Sequence, residues 1–126
     1  MSSVSSRELE IINNCSKVVA KDRKLVAACL YGSKVAGYAR PDSDIDVLVV
    51  LESYPYLVKY KYFSEKGIKV SVLAVDRNAI ERDAKSAFLG EFVIGRLLHI
   101  YDSIVNGEFL STVERIYKRR VILEEV

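Results

Sequence analysis

The chain has 126 residues, half of them apolar, which is enough for one hydrophobic core and too little for two. Nineteen Lys and Arg against seventeen Asp and Glu leave a net charge of +2, which excludes a general nucleic-acid coat protein and confines any phosphate binding to a local site. No uninterrupted apolar run reaches the ~18 residues of a membrane span, and the start MSSVSSRELEI lacks the pattern of a secretory signal, so the expectation is a cytoplasmic protein without a membrane role.

Leu9, Ile12, Ser16 and Val19 recur at helical spacing, and Ser5 with Glu8 has the form of a capping box, so residues 5–20 are expected to be a helix. Cys15 and Cys29 have no CxxC partner and no nearby histidine, and are expected to be free thiols packed as small hydrophobes. The run LVAACLY at 25–31 is short, apolar and ended by Gly32, which predicts a buried strand; residues 34–39 have room only for a helical turn before Arg40-Pro41. Ile45–Leu51 is apolar on both faces beyond its aspartates, which predicts a strand in the middle of the sheet. From 56 to 75, alternation on both sides of Ser64–Gly67 predicts a hairpin whose second arm is 68–75, with a helical first arm as the alternative; the tyrosines and alternating lysines favour an edge strand. Asp76 is placed to cap a helix over roughly 77–89, which Gly90 and Gly95 interrupt. Phe88, Leu89, Phe92, Val93, Leu97 and Leu98 are too apolar for a lone surface helix and are expected to be deeply packed or to form an interface, and self-association or a stable partner through 88–117 is expected. Residues 109–124 predict a last helix, with Leu110, Val113, Ile116, Tyr117 and Val121 on one side. One domain is expected, with a core over about 22–90 and a helical extension over about 90–126.

The chemistry concentrates in YGSKVAGYARPDSDID, residues 31–46. Asp44 and Asp46, separated by one residue on a strand, project from the same face and repel each other unless a divalent cation such as Mg2+ is shared between them. Gly32 permits close backbone approach, and free amides beside the Ser33 hydroxyl can cradle a phosphate. Together these features can hold a nucleoside triphosphate with its metal. Lys34 and Arg40 flank the turn and can neutralise phosphate charge; an ordinary solvated role accounts for them equally.

Gly32-Ser33, ten residues, then Asp44-Ile45-Asp46 resembles the signature of the DNA polymerase β-type nucleotidyltransferase superfamily, and GSKVAGYARPDSDIDVLVV is similar to the minimal nucleotidyltransferases of archaea and bacteria. The resemblance implies an α+β nucleotidyltransferase fold, a small mixed sheet packed against helices with extra C-terminal helices. It also implies that Gly32 and Ser33 touch the triphosphate, most naturally ATP, and that Asp44 and Asp46 bind Mg2+ or Mn2+ and carry catalysis. The family's reaction moves a nucleoside monophosphate to a hydroxyl with release of pyrophosphate. One departure stands out: the family carries a third carboxylate on the following strand, and the equivalent here is Ser71, while Asp76 and Glu65 are misplaced by spacing.

Three functions compete. The first is a Mg2+-dependent nucleotidyltransferase acting on a protein or small-molecule hydroxyl, in partnership with a small helical HEPN-type protein as minimal relatives imply. The second is a catalytically weak nucleotide- or partner-binding module without the third acid. The third is RNA binding through Lys59-Tyr60-Lys61-Tyr62, where cations alternate with aromatics; an edge strand guarded by lysines explains that pattern as well. His99, the single histidine, is expected to be a helix residue with a local partner.

Overall fold

The N-terminal helix is set by its own sequence. In the computed structural model, which describes residues 5–32, 44–97 and 101–124, helix α1 spans Ser6–Ala20 with Ser5 as its cap. The Glu8 amide donates to the Ser5 hydroxyl at 3.1 Å, and the Ser5 amide donates to the Glu8 carboxylate at 2.9 Å. Two of the donors that a helix leaves open at its start are thereby satisfied. Ile11, Ile12, Cys15, Ser16 and Val19 form the buried stripe, in which the Ser16 hydroxyl donates to the Ile12 carbonyl at 2.9 Å.

The described strands are β1 (Leu25–Tyr31), β2 (Ile45–Leu51), β3 (Val58–Glu65), β4 (Ile68–Asp76) and β5 (Asp102–Val105), in the sheet order β3-β4-β2-β1-β5. β2 runs parallel to β4, and the other pairs are antiparallel. The double-sided apolar run is therefore central, with every residue from Val47 to Leu51 buried. β3 and β4 form the expected hairpin around Lys66-Gly67, both at positive φ (52° and 78°), the geometry that matches the twist of paired strands.

Each face of the sheet is covered. On one, α1 packs on Ala28, Leu30, Val47, Val49 and Val72. On the other, α2 (Arg77–Ser86), a 3-10 turn at Ile94–Leu97 and α3 (Gly107–Glu124) lie over Cys29, Leu48, Val50, Leu73 and Val75. Cys15 and Cys29 are free and buried in these opposite layers. Burial, with Asp102 nearby, pushes the Cys29 thiol up to about 12, so it stays protonated. Among the described residues no helix is long and apolar enough to cross a membrane.

The structure departs from the sequence reading after residue 86. α2 ends at Ser86, with Ala87 left-handed (φ 54°), before the glycine expected to stop it. The cause is Asp83, fully buried, whose Oδ1 accepts the Leu89 and Glu91 amides at 2.8 and 2.9 Å and whose Oδ2 accepts those of Val93 and Ile94 at 3.3 and 3.0 Å. Four amides bound to one carboxylate cannot also continue a helix. Asp76 occupies the cap position of α2, yet its carboxylate accepts the Tyr54 amide at 2.9 Å and makes no bond to the helix it precedes. The extension expected to be helical contains β5, which pairs with β1 through Cys29↔Ser103 and Leu30↔Asp102. A strand of four residues is too short for its alternation to be legible. α3 matches expectation, burying Leu110, Val113 and Tyr117. Of the residues expected to form an interface, Val93 and Leu97 are in the core, Leu89 is half-buried, Phe88 and Phe92 are exposed, and Leu98 lies outside the described residues.

Candidate functional site

Strand pairing draws one row of residues across four strands. Tyr31 lies opposite Asp46, Asp46 beside Ser71, and Ser71 opposite Tyr62. Paired residues share a face, and their neighbours one step along, Cys29, Leu48, Leu73 and Tyr60, belong to the core layer beneath α2 and α3. The row therefore projects on the face opposite α1, at the end of the sheet where β1 stops and β2 begins.

Gly32 closes the same corner. It follows Tyr31 directly with φ +85°, and a Cβ added there would collide with Asp46 Oδ2 and come within 3.3 Å of its Cγ. Only a glycine both adopts this backbone conformation and leaves room for the carboxylate. Glycine turn and aspartate pair are thus one structural unit.

The electrostatics of the unit are unfavourable by construction. Asp44 is exposed at the mouth of β2, and Asp46 is half-buried one step inside. Burial first, and the Asp44 charge second, raise the Asp46 carboxyl above the usual range, while Arg96 opposes the shift. Burial, with Tyr60 and Asp46 nearby, also raises the Tyr31 phenol and keeps it neutral. Ser71 beside Asp46 is buried and adds no charge.

Sequence reasoning missed Arg96. Its guanidinium carbon lies 4.9 Å from the Phe92 ring and 5.5 Å from the Tyr31 ring, and Nη2 donates to the Tyr60 hydroxyl at 3.1 Å. Its Nε is buried without a hydrogen-bond partner. The available signal was a lone cation inside the apolar run FVIGRLL. What the sequence could not give is the turn built on Asp83, which carries Arg96 back over the strand ends.

Of the residues singled out from sequence, the fold brings together Gly32, Asp44, Asp46 and Ser71. Ser33, Lys34, Arg40 and His99 lie outside the described residues. Asp76 pairs with Leu51, five residues along β2 from Asp46, about 16 Å away at the rise of a strand. Glu65 is in the edge strand and acts electrostatically on Cys15, on the α1 side. Among the described residues no three acidic, histidine or cysteine side chains converge. The Lys59–Tyr62 pattern splits by face: Tyr60 and Tyr62 stack with centroids 6.0 Å apart on the Asp46 side, and Lys59 and Lys61 alternate to the other.

The family model of the nucleotidyltransferase domain matches residues 12–123. Among solved structures, a nucleotidyltransferase-like protein from Exiguobacterium sibiricum 255-15 is similar in fold, with a TM-score of 0.53 and 12% identity over 88% of this chain and 38% of that one. The chain thus corresponds to well under half of that protein's length. No curated protein matches the sequence.

Proposed function

The chain belongs to the nucleotidyltransferase domain family, and on that premise we propose that it binds a nucleoside triphosphate, ATP in the first instance, and transfers the nucleoside monophosphate to a hydroxyl acceptor in the cytoplasm. The observation that supports the reading is the close approach of Gly32 to the Asp46 carboxylate, which leaves no room for a Cβ at residue 32. Gly32 and Ser33 supply the close backbone approach and hydroxyl for the β- and γ-phosphates, and Lys34 and Arg40 supply positive charge beside them. Asp44 and Asp46 fit one divalent cation, since two neighbouring carboxylates, one of them raised by burial and by the other's charge, gain from a shared Mg2+ or Mn2+. When bound, that ion supplies charge neutralisation for the triphosphate and the departing pyrophosphate. In the transfer the acceptor oxygen bonds to the α-phosphorus, the bridge to the β-phosphate breaks, and the acceptor's proton leaves to a base.

Ser71 is the weak point. A neutral hydroxyl beside Asp46 neither takes that proton nor holds a second cation, which supports a protein that binds nucleotide well and transfers slowly. A small HEPN-type helical protein as partner and acceptor, or a second copy of the chain, completes the proposal, with the exposed Phe88, Phe92, Ile122 and Leu123 as apolar surface for it. Calorimetric titration with a nonhydrolysable ATP analogue and Mg2+ tests the site. Saturable, metal-dependent binding is expected for the wild type and its loss for Asp44→Ala/Asp46→Ala; unchanged affinity in that variant would refute the assignment.

A further inference from the structure

On the face opposite Asp46 a cleft of about 390 Å³ opens between the end of α1 and the edge strand β3. Four cations line it: Lys21 and Arg23 from the α1–β1 connection, Lys59 and Lys61 from β3. No carboxylate lines it, and among the described residues none of the four forms an ion pair. In a chain whose net charge is +2, this is a local concentration of uncompensated charge. The aromatic side chains are equally concentrated. Tyr54 and Tyr56 meet edge-to-face at 5.5 Å, Lys59 Nζ sits 4.3 Å from the Tyr56 ring centre, and Tyr56 on the rim is 50% exposed.

Protection of a sheet edge accounts for Lys59 and Lys61. It does not account for Lys21 and Arg23, which belong to another element, or for Tyr56, which lies in the loop before β3. An acidic peptide would use the cations and leave the ring faces idle. A ligand that alternates a phosphate with a flat base uses both, because cations track the backbone and each ring offers a stacking platform. Lys59 and Lys61 follow each other at about 7 Å along the strand, a step close to that of successive phosphates in an extended single strand.

We propose that this cleft is a binding site for single-stranded nucleic acid, separate from the triphosphate site and independent of whether that site catalyses transfer. Binding is sequence-tolerant, since the cleft offers charge and stacking rather than a set of fixed base-edge partners.

Fluorescence anisotropy with labelled oligouridylate and oligothymidylate of about 12 nucleotides tests it. Four cation–phosphate contacts predict a salt slope near −2.8, so affinity falls about 50-fold between 50 and 200 mM salt. In Lys59→Glu/Lys61→Glu, with folding checked by circular dichroism, binding weakens at least tenfold and the salt loss shrinks to about sevenfold. Tyr56→Ala weakens binding about tenfold with the salt slope unchanged, as loss of one stacked base requires. Asp46→Asn binds the oligonucleotides as the wild type does, even though it impairs triphosphate binding, which separates the two sites. The proposal is overturned by no saturable binding of either oligonucleotide, by wild-type affinity in the double lysine variant, or by polyglutamate competing as well as oligonucleotide, which would make the partner an acidic protein. Loss of oligonucleotide binding in Asp46→Asn would also overturn it by moving the strand to the opposite face.

Discussion

The two faces of the sheet are built by different means. The α1 face is covered by one helix, capped by its own residues, and the stripe that helix buries is apolar apart from Ser16, whose hydroxyl is bonded within the same helix. The opposite face is covered by three elements joined through polar groups. Asp83 gathers four amides of the turn after α2, Glu91 in that turn accepts the Tyr117 hydroxyl at 2.9 Å and Arg120 Nη2 at 3.1 Å from α3, and Arg96 leans across to Tyr60. The first face needs only a matching apolar stripe. The second must also hold Tyr31, Asp46 and Ser71 at the strand ends, so its cover is pinned by directional bonds in addition to a continuous hydrophobic surface.

The sharpest way to break this contrast is at Asp83. Asp83→Ala leaves four buried or half-buried amides without their acceptor, and the cost expected in denaturant unfolding is about 3–5 kcal/mol. Asp83→Asn keeps one acceptor oxygen and should lose about half as much. Because the turn carries Arg96, both variants should also change the surroundings of Asp46. A cost below about 1 kcal/mol for Asp83→Ala would mean that the turn is held by its apolar contacts after all. The matching change on the other face is Ile12→Ala, which removes methylene groups from a side chain with no exposed surface, for about 2–4 kcal/mol. That variant should leave triphosphate affinity at the wild-type value once the protein is folded, since α1 touches no member of the Tyr31–Asp46–Ser71 row.

The same contrast decides what could be read from the sequence. α1, β1, β2 and the β3–β4 hairpin were legible because each carries its own signal: a capping box, an unbroken apolar run closed by Gly32, and alternation on both sides of Ser64–Gly67, which the structure narrows to a turn at Lys66-Gly67. The juxtaposition of Asp46 and Ser71 was expected from the family resemblance, which puts the third-acid position on the following strand, and the parallel pairing of β2 with β4 sets the two side by side. The region after residue 86 was not, because its structure depends on contacts distant in sequence. Asp83 reaches up to eleven residues ahead to Ile94, and β5 exists because the free edge of β1 offers it a partner. Arg96 was missed for that reason: nothing in its immediate neighbours indicates that Tyr31 and Tyr60 will meet it.

Ser71 tests whether the polar face is a complete site or one short of an acid. Ser71→Asp places a third carboxylate beside Asp46 without altering Gly32 or the acid pair. Pyrophosphate release should rise by about 100-fold, with triphosphate affinity changed only slightly. Wild-type turnover already in the range of about 1–1000 per second would remove the premise that a charge is missing. Without metal the same substitution should lower the melting temperature, because it adds a third like charge to a pair that already repels.

The smallest effect belongs to the start of the chain and probes whether the two faces are energetically separate. Ser5→Ala removes the acceptor for the Glu8 amide and leaves only the backbone amide of residue 5 donating to Glu8, for about 1 kcal/mol and a fall of about 4 °C in the melting temperature. Ser5→Asp restores an acceptor at the cap and adds a charge that the positive end of the helix favours, so it should recover the loss. Neither change should alter triphosphate affinity, since α1 can fray at its first turn while Ile12, Cys15 and Val19 keep their hold on β1, β2 and β4. A shift in nucleotide affinity in Ser5→Ala, reversed in Ser5→Asp, would show that the aliphatic layer transmits the state of α1 through β2 to Asp46. The two faces would then be parts of one cooperative unit, and the directional bonds around Asp83 and Arg96 would not be the sole constraint on the strand ends.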